Sequence, residues 1–113
     1  MKRLRQYLDR QLNIGRAMDR ASLSRWGITI RYAPDPPEDF DEFEFGLNYQ
    51  GEEDVAFVIT IEKGEIKRMM FGKPDKDNPE ILRPMDDATI ADLMDKKGDD
   101  ILAFFDYVTS PGQ

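Results

Sequence analysis

The residues best suited to chemistry in this chain are carboxylates concentrated in residues 35–44. Six of these ten positions are acidic, and Phe40 and Phe43 lie among them. The predicted partner-binding residues are Asp35, Glu38, Asp39, Asp41, Glu42 and Glu44. Such a strip can face a basic protein surface, or imitate nucleic-acid phosphates and block a DNA- or RNA-binding groove. The alternative is a solvated loop leading into a strand whose outer face carries charge for solubility.

The basic residues are concentrated near the N-terminus. Residues 1–31 carry eight basic and two acidic groups, a net charge of +6, whereas residues 32–113 carry a net charge of −13. The arginines considered for nucleic-acid contact or self-association are Arg3, Arg5, Arg10, Arg16 and Arg20. A basic segment of this kind can bind phosphates. We favour packing on the acidic sheet of the same or a second subunit, because a net charge of −7 opposes the approach of nucleic acid.

The composition removes the commonest catalytic groups. The chain has neither histidine nor cysteine, which excludes His-dependent triads, thiolate nucleophiles and standard zinc sites. Carboxylate, lysine or tyrosine chemistry and Mg²⁺-type sites stay open, but no acid–base pair can be nominated. Residues 75–80 lack the glycine and distal glutamate of an EF-hand loop, so we interpret them as a turn. We predict no catalytic residue, no metal and no cofactor.

The elements that position these groups follow from hydrophobic periodicity. Apolar residues at three- and four-residue steps predict an amphipathic helix over residues 1–22. Period-two alternation then predicts four strands over residues 26–72. The inward positions of the first three are Trp26, Ile28, Ile30 and Tyr32; Phe43, Phe45, Leu47 and Tyr49; and Val55, Phe57, Ile59 and Ile61. Ala56 and Val58 indicate that the third strand is central, and Lys63-Gly64 predicts a tight hairpin before the fourth strand.

The remaining residues predict a loop followed by helix. Residues 73–85 are polar and contain three prolines, so we expect a surface loop. The helical period returns over residues 86–109, where Gly98 and Asp99 leave one helix or a helix pair undecided. The whole pattern predicts a single α+β domain over residues 1–113. Its parts are an N-terminal helix, a four-stranded antiparallel meander, and a C-terminal helix or helix pair packed on one face of the sheet.

Together these features favour binding over catalysis. The charged start lacks the apolar stretch of a secretory signal, and the longest apolar run, residues 55–61, falls short of the roughly twenty residues that span a membrane. We therefore expect a cytoplasmic protein without a membrane partner. The function expected is that of a small acidic inhibitor, immunity factor or adaptor that binds a protein, and a homodimer is compatible with it. The alternatives are a nucleic-acid binder, a nucleic-acid mimic and a carboxylate-dependent enzyme.

Overall fold

Five antiparallel strands lie side by side in the order of the sequence. The computed structural model describes residues 2–34 and 41–110, with the side chain of Lys2 left out. The strands are β1 (Ile28–Tyr32), β2 (Asp41–Leu47), β3 (Val55–Glu62), β4 (Glu65–Pro74) and β5 (Leu82–Pro84). Helices and the N-terminal segment supply the rest of the core. The predicted α+β class with an antiparallel sheet is confirmed.

The third strand is central, as its sequence predicts. The side chains of Val55, Phe57, Ile59 and Ile61 are fully buried, and Ala56 is buried on the opposite face. The ring of Phe57 lies 5.2–5.9 Å from four other phenylalanine rings that join β2, β4 and the C-terminal helix. Strong apolar alternation on a strand between two partners therefore places this strand in the middle of the core.

A tight hairpin connects β3 to β4. Lys63 and Gly64 both have positive φ, at 54° and 79°. Two central residues with positive φ give the turn whose twist matches that of paired strands. The pairing Glu62↔Glu65 closes this two-residue connection, as the sequence predicts.

The prediction of four strands is wrong by one, because residues 73–85 are not all loop. β5 pairs with the end of β4, and the Asp75 N–H donates to the Ile81 carbonyl at 2.8 Å. The Asp75 carboxylate accepts from Arg83 Nε at 2.6 Å and from the backbone N–H groups of Asp77 and Asn78. The prolines suggest a loop, but proline is tolerated in a short edge strand.

The prediction of one N-terminal helix is also wrong. The segment forms a 3-10 helix (Lys2–Tyr7), a bridge from Gln11 to Glu65, two short helices, α1 (Ile14–Ala17) and α2 (Arg20–Leu23), and a 3-10 turn (Ser24–Trp26). Asp9 interrupts the helical backbone with φ 67°, and its N–H donates to the Ile66 carbonyl at 2.7 Å. The Ile66 N–H in turn donates to the Arg10 carbonyl at 2.9 Å. The segment satisfies backbone groups on the edge of β4, which a continuous helix would leave without partners.

The C-terminal helix is single and unbroken. α3 (Asp87–Thr109) begins after Asp86, whose carboxylate accepts from the Thr89 N–H at 2.7 Å. Gly98 lies within it, where a Cβ would sit 2.9 Å from the Arg3 guanidinium. The residues that α3 buries are Leu93, Met94, Gly98, Ile101, Phe104, Phe105 and Val108. Gly98 therefore allows the close approach of Arg3 and does not end the helix.

Candidate protein-binding surface

Tyr32 is the most exposed large apolar side chain among the described residues, at 57% of its surface. It closes β1, an edge strand, where the register shifts: Ile30 pairs with Phe45, but Tyr32 pairs with Glu44. Arg31 is therefore the extra residue of a β-bulge, which re-aims the side chains that follow it. Paired residues share a face, so Tyr32 lies on the face of Glu44 and not on the core face. The sequence prediction that Tyr32 points inward is wrong for this reason.

Two clefts meet at Tyr32, and carboxylates line both. One cleft of about 380 Å³ is lined by Tyr32, Asp41, Glu42, Thr60, Ile61 and Glu62. The other, of about 420 Å³, is lined by Arg31, Tyr32, Glu44 and Glu80. Glu42, Glu62 and Glu80 are exposed, and Glu42 accepts a hydrogen bond from the Thr60 hydroxyl at 3.3 Å. We call Tyr32 with these three exposed glutamates the Tyr32 surface.

The Glu44 side chain is mostly buried and forms an ion pair within the sheet. Arg31 Nε lies 2.6 Å from a Glu44 oxygen, and both side chains are about four-fifths buried, at 17% and 22% exposure. The same guanidinium donates to the Pro79 carbonyl at 2.6 Å, which ties the β4–β5 loop to β1. The negative charge of Glu44 is thus balanced within the fold.

The predicted acidic residues fall into three groups. Asp35, Glu38 and Asp39 lie outside the described residues. Asp41 is half-buried at the start of β2, where its carboxylate accepts from the Glu42 N–H at 3.1 Å. Glu42 is exposed beside Tyr32, and Glu44 is paired with Arg31.

Sequence reasoning missed three members of the surface. Tyr32 matched an inward position because the bulge at Arg31 leaves no sequence signal. Glu62 reaches the surface through the β2–β3 pairing, in which Ile61 pairs with Asp41, and Glu80 lies in a loop held by Arg31. The alternation of the third strand is the signal that pointed to Glu62, because it places this residue on the face opposite that of Ile61.

The five N-terminal arginines do not form one stripe, because they do not share a helix. Arg3 pairs with Asp99 at 3.6 Å, and Arg10 lies over the ring of Tyr7 at 5.0 Å. Arg16 donates to the Tyr107 carbonyl at 3.2 Å. Arg5 and Arg20 are exposed, and within the described ranges neither forms an ion pair. Arg3 pairs with Asp99 of α3 and not with the sheet, so the packing of these arginines on the acidic sheet stays a prediction.

Arg16 belongs to a cap on the C-terminal end of α3. The Asn13 N–H donates to the Val108 carbonyl at 2.7 Å, and the Arg16 guanidinium lies over the Tyr107 ring at 5.1 Å. A cation at this end complements the helix dipole. Asp19 accepts from Tyr107 at 3.0 Å, and hydrogen bonds from Ser22, followed by that from Tyr107, lower the pKa of Asp19. These groups stabilise the fold.

The pKa values of two tyrosines are raised, which takes these values further from neutral pH. The Tyr49 hydroxyl donates to Asp92, and this bond, followed by burial, raises the pKa of Tyr49 to about 12. Burial and a bond to Asp106 likewise raise the pKa of Tyr7 to about 12. A general base at neutral pH needs a pKa near 7, so neither tyrosine is suited to that role.

The described residues contain neither a metal-binding cluster nor a membrane-spanning helix. Within residues 2–34 and 41–110, no group of three or more acidic side chains is arranged to hold a metal ion. In the same ranges no helix is long and apolar enough to cross a membrane. The chain has no significant match among protein-family models, curated proteins or solved structures.

Proposed function

We propose that this protein acts without catalysis, by binding a basic surface of a protein partner through the Tyr32 surface. An inhibitor, an immunity factor or an adaptor acts in this way. The observation that carries the proposal is the outward position of Tyr32 between exposed glutamates. The expected location is the cytoplasm.

The chemistry of the surface fits a protein target. Tyrosine supplies a large rigid contact area with a polar tip, and it is over-represented among residues that dominate binding energy. Glu42, Glu62 and Glu80 surround it with negative charge. Charges at the rim of an interface mainly accelerate association and select the partner. An arginine- or lysine-rich face with a shallow apolar recess would complement both features.

The internal pairing of Arg31 supports this assignment. Arg31 is the only basic side chain among the described residues that line the two clefts, and its guanidinium is bonded to Glu44 and to the Pro79 carbonyl. Within residues 2–34 and 41–110, no free cation then neighbours the exposed glutamates in these clefts. An acidic field of this kind attracts basic surfaces and repels nucleic acid.

Affinity capture followed by titration tests the proposal. The protein is used to capture partners from a lysate of its host, with nuclease-treated and high-salt controls, and captured proteins are then titrated individually. We expect Tyr32→Ala to weaken binding about tenfold or more. Neutralising Glu42 and Glu62 together as Glu42→Gln/Glu62→Gln should slow association and reduce its salt dependence.

A matched variant controls for net charge. Glu52 and Asp95 are exposed and do not line either cleft, so Glu52→Gln/Asp95→Asn makes the same charge change elsewhere. It should bind as the unmodified protein does. Equal affinity of Tyr32→Ala and the unmodified protein for every captured partner, or loss of all capture on nuclease treatment, would overturn the proposal.

A further inference from the structure

Among the described residues, the outer edge of β4 is paired at both ends and has no backbone partner between them. At one end Ile66 exchanges backbone hydrogen bonds with Asp9 and Arg10. At the other, Lys73 pairs with Arg83 of β5. Residues 67–71 lie between these pairings, and we call them the β4 gap. At about 3.3 Å per residue, the gap spans on the order of 15 Å.

The direction of the backbone groups in the gap follows from strand alternation. The Asp75 N–H donates to Ile81 across the outer edge, so every second residue before it, including Met69 and Phe71, faces the same way. Thr60 pairs with Arg68 and Ile61 pairs with Ile66, so residue 67 is the extra residue of a β-bulge. The backbone groups of Ile66 therefore also face the outer edge, although Ile66 is three residues before Met69. In the described part of the chain, neither Met69 nor Phe71 has a backbone partner across this edge.

Two clefts flank the gap, and Met69 lines both. The cleft towards β5, about 280 Å³, is mainly apolar and includes Met69, Met70, Phe71, Leu82, Met85 and Ile90. The cleft towards the N-terminal segment, about 310 Å³, is lined by Arg5, Leu8, Lys67, Arg68 and Met69. Methionine side chains adapt to ligands of varied shape. The gap therefore joins an adaptable apolar cleft to a basic one.

We propose that the β4 gap binds an extended peptide of a protein partner as an added antiparallel strand. Both neighbours on this edge run antiparallel to β4, so a peptide in line with them would do the same. Its N-terminal half then lies at Phe71 and its C-terminal half at Lys67. The structure thus selects an apolar residue followed, two to four residues later, by a carboxylate that faces Arg5 and Arg68. Strand addition of this kind gains affinity from backbone bonds and specificity from alternate side chains.

Charge complementarity identifies the occupant as an acidic-ended peptide. Lys67 is already engaged by Asp9 at 2.5 Å and Glu65 at 3.1 Å. Arg5 and Arg68 have no carboxylate partner within residues 2–34 and 41–110. Arg68 Nη2 donates only to the weak acceptor Met70 Sδ, at 3.7 Å. Two guanidinium groups without a described carboxylate partner, beside a strand edge, favour a carboxylate at that end of the ligand.

The two segments that flank the gap disfavour the binding of a second copy of this chain at this edge. The N-terminal segment and β5 occupy the same edge on either side. Two copies meeting edge to edge would bring these flanking segments together before the gaps could pair. Flanking segments of this kind protect a strand edge against edge-to-edge pairing. An extended peptide of about five residues matches the length of the gap. The gap lies on the opposite edge of the sheet from β1, so the inference is independent of the Tyr32 surface.

Nuclear magnetic resonance titration of the full chain tests the proposal. The probe is a capped peptide, Leu-Thr-Val-Thr-Glu, and its matched control ends in Lys. We expect the largest amide shifts at residues 67–72, with slower hydrogen exchange at Met69 and Phe71. The Lys-ended peptide should bind at least about fivefold more weakly, because its lysine side chain is repelled by the like charges of Arg5 and Arg68.

Variants separate the backbone and charge contributions. Met69→Pro removes the N–H that faces the outer edge and breaks no hydrogen bond to β3, so it should abolish peptide binding. Met69→Leu keeps this N–H and should retain binding. Arg68→Ala should weaken binding of the Glu-ended peptide, and Arg20→Ala, an exposed arginine elsewhere, should not. No amide shifts at millimolar peptide, shifts confined to other residues, or concentration-dependent dimerisation through residues 67–71 would overturn the proposal. None of these outcomes bears on the Tyr32 surface.

Discussion

The guanidinium of Arg31 donates from Nε to a Glu44 carboxylate oxygen at 2.6 Å on the outer face of the sheet. The pair joins β1 to β2 beside the bulge that turns Tyr32 outward. It also removes Glu44 from the set of exposed carboxylates. This ion pair thus links the edge strand to β2 and neutralises one carboxylate beside the proposed binding surface.

Replacing Arg31 should weaken the fold measurably. In Arg31→Ala the mostly buried Glu44 loses its partner, and the Pro79 carbonyl loses a donor. We expect a fall of about 1–3 kcal/mol in the free energy of unfolding, measured by urea denaturation. Arg20→Ala serves as the control and should change it by no more than about 0.5 kcal/mol. Equal effects of the two substitutions would show that the Arg31 pair does not stabilise the protein.

Gly98→Ala should stabilise the protein. Gly98 lies inside α3, where glycine costs about 1 kcal/mol relative to alanine. The added Cβ would lie 2.9 Å from the end of the flexible Arg3 side chain, which can move aside, and 3.7 Å from Met94 Cε, an ordinary van der Waals contact. We expect a gain of about 0.5–1 kcal/mol in thermal or urea denaturation. Gly72→Ala should act in the opposite direction, since its Cβ would meet the Arg83 backbone at 3.0 Å. A loss of stability in Gly98→Ala would contradict this account.

The cap at Asp86 should make stability sensitive to acid. Hydrogen bonds from the side chain and backbone of Thr89 lower the pKa of Asp86 below its ordinary value of 3.8. Its contribution is therefore complete above that value and is lost as pH falls through the lower folded pKa. Asp86→Ala should lower the urea midpoint at neutral pH, whereas Asp86→Asn, which keeps a capping oxygen, should lower it less. The difference between Asp86→Ala and the unmodified protein should shrink at acid pH; an unchanged difference would contradict the assignment.

Alkaline pH should destabilise the protein through two tyrosines. The pKa values of Tyr7 and Tyr49 are raised from 10.0 to about 12, Tyr7 first by burial and Tyr49 first by the bond to Asp92. Between these values the unfolded chain releases protons that the folded chain keeps, so the free energy of unfolding falls as pH rises from about 10 to about 12. Urea denaturation at a series of pH values measures the slope. Tyr7→Phe/Tyr49→Phe should flatten it, and an unchanged slope would show that other groups are responsible.

The sequence by itself determined the sheet from β1 to β4 and the C-terminal helix. Period-two alternation marked Phe57 and its neighbours as inward residues of a central strand, and the Lys63-Gly64 turn fixed the hairpin. These predictions succeed because burial of an alternating face and a two-residue turn are local properties of the chain. The acidic character of residues 41–44 was equally visible.

Tertiary structure decided the features on which the proposed surfaces depend. The apolar period near the N-terminus was compatible with a helix, but bonds from Asp9 and Arg10 to Ile66 on β4 replaced it. The bulge at Arg31 turned Tyr32 to the charged face, because a single extra residue inverts the side-chain alternation. The β4 gap exists because two segments distant in sequence cover the same strand edge and leave its middle open. Each outcome depends on pairing between remote backbone groups, which no local pattern specifies.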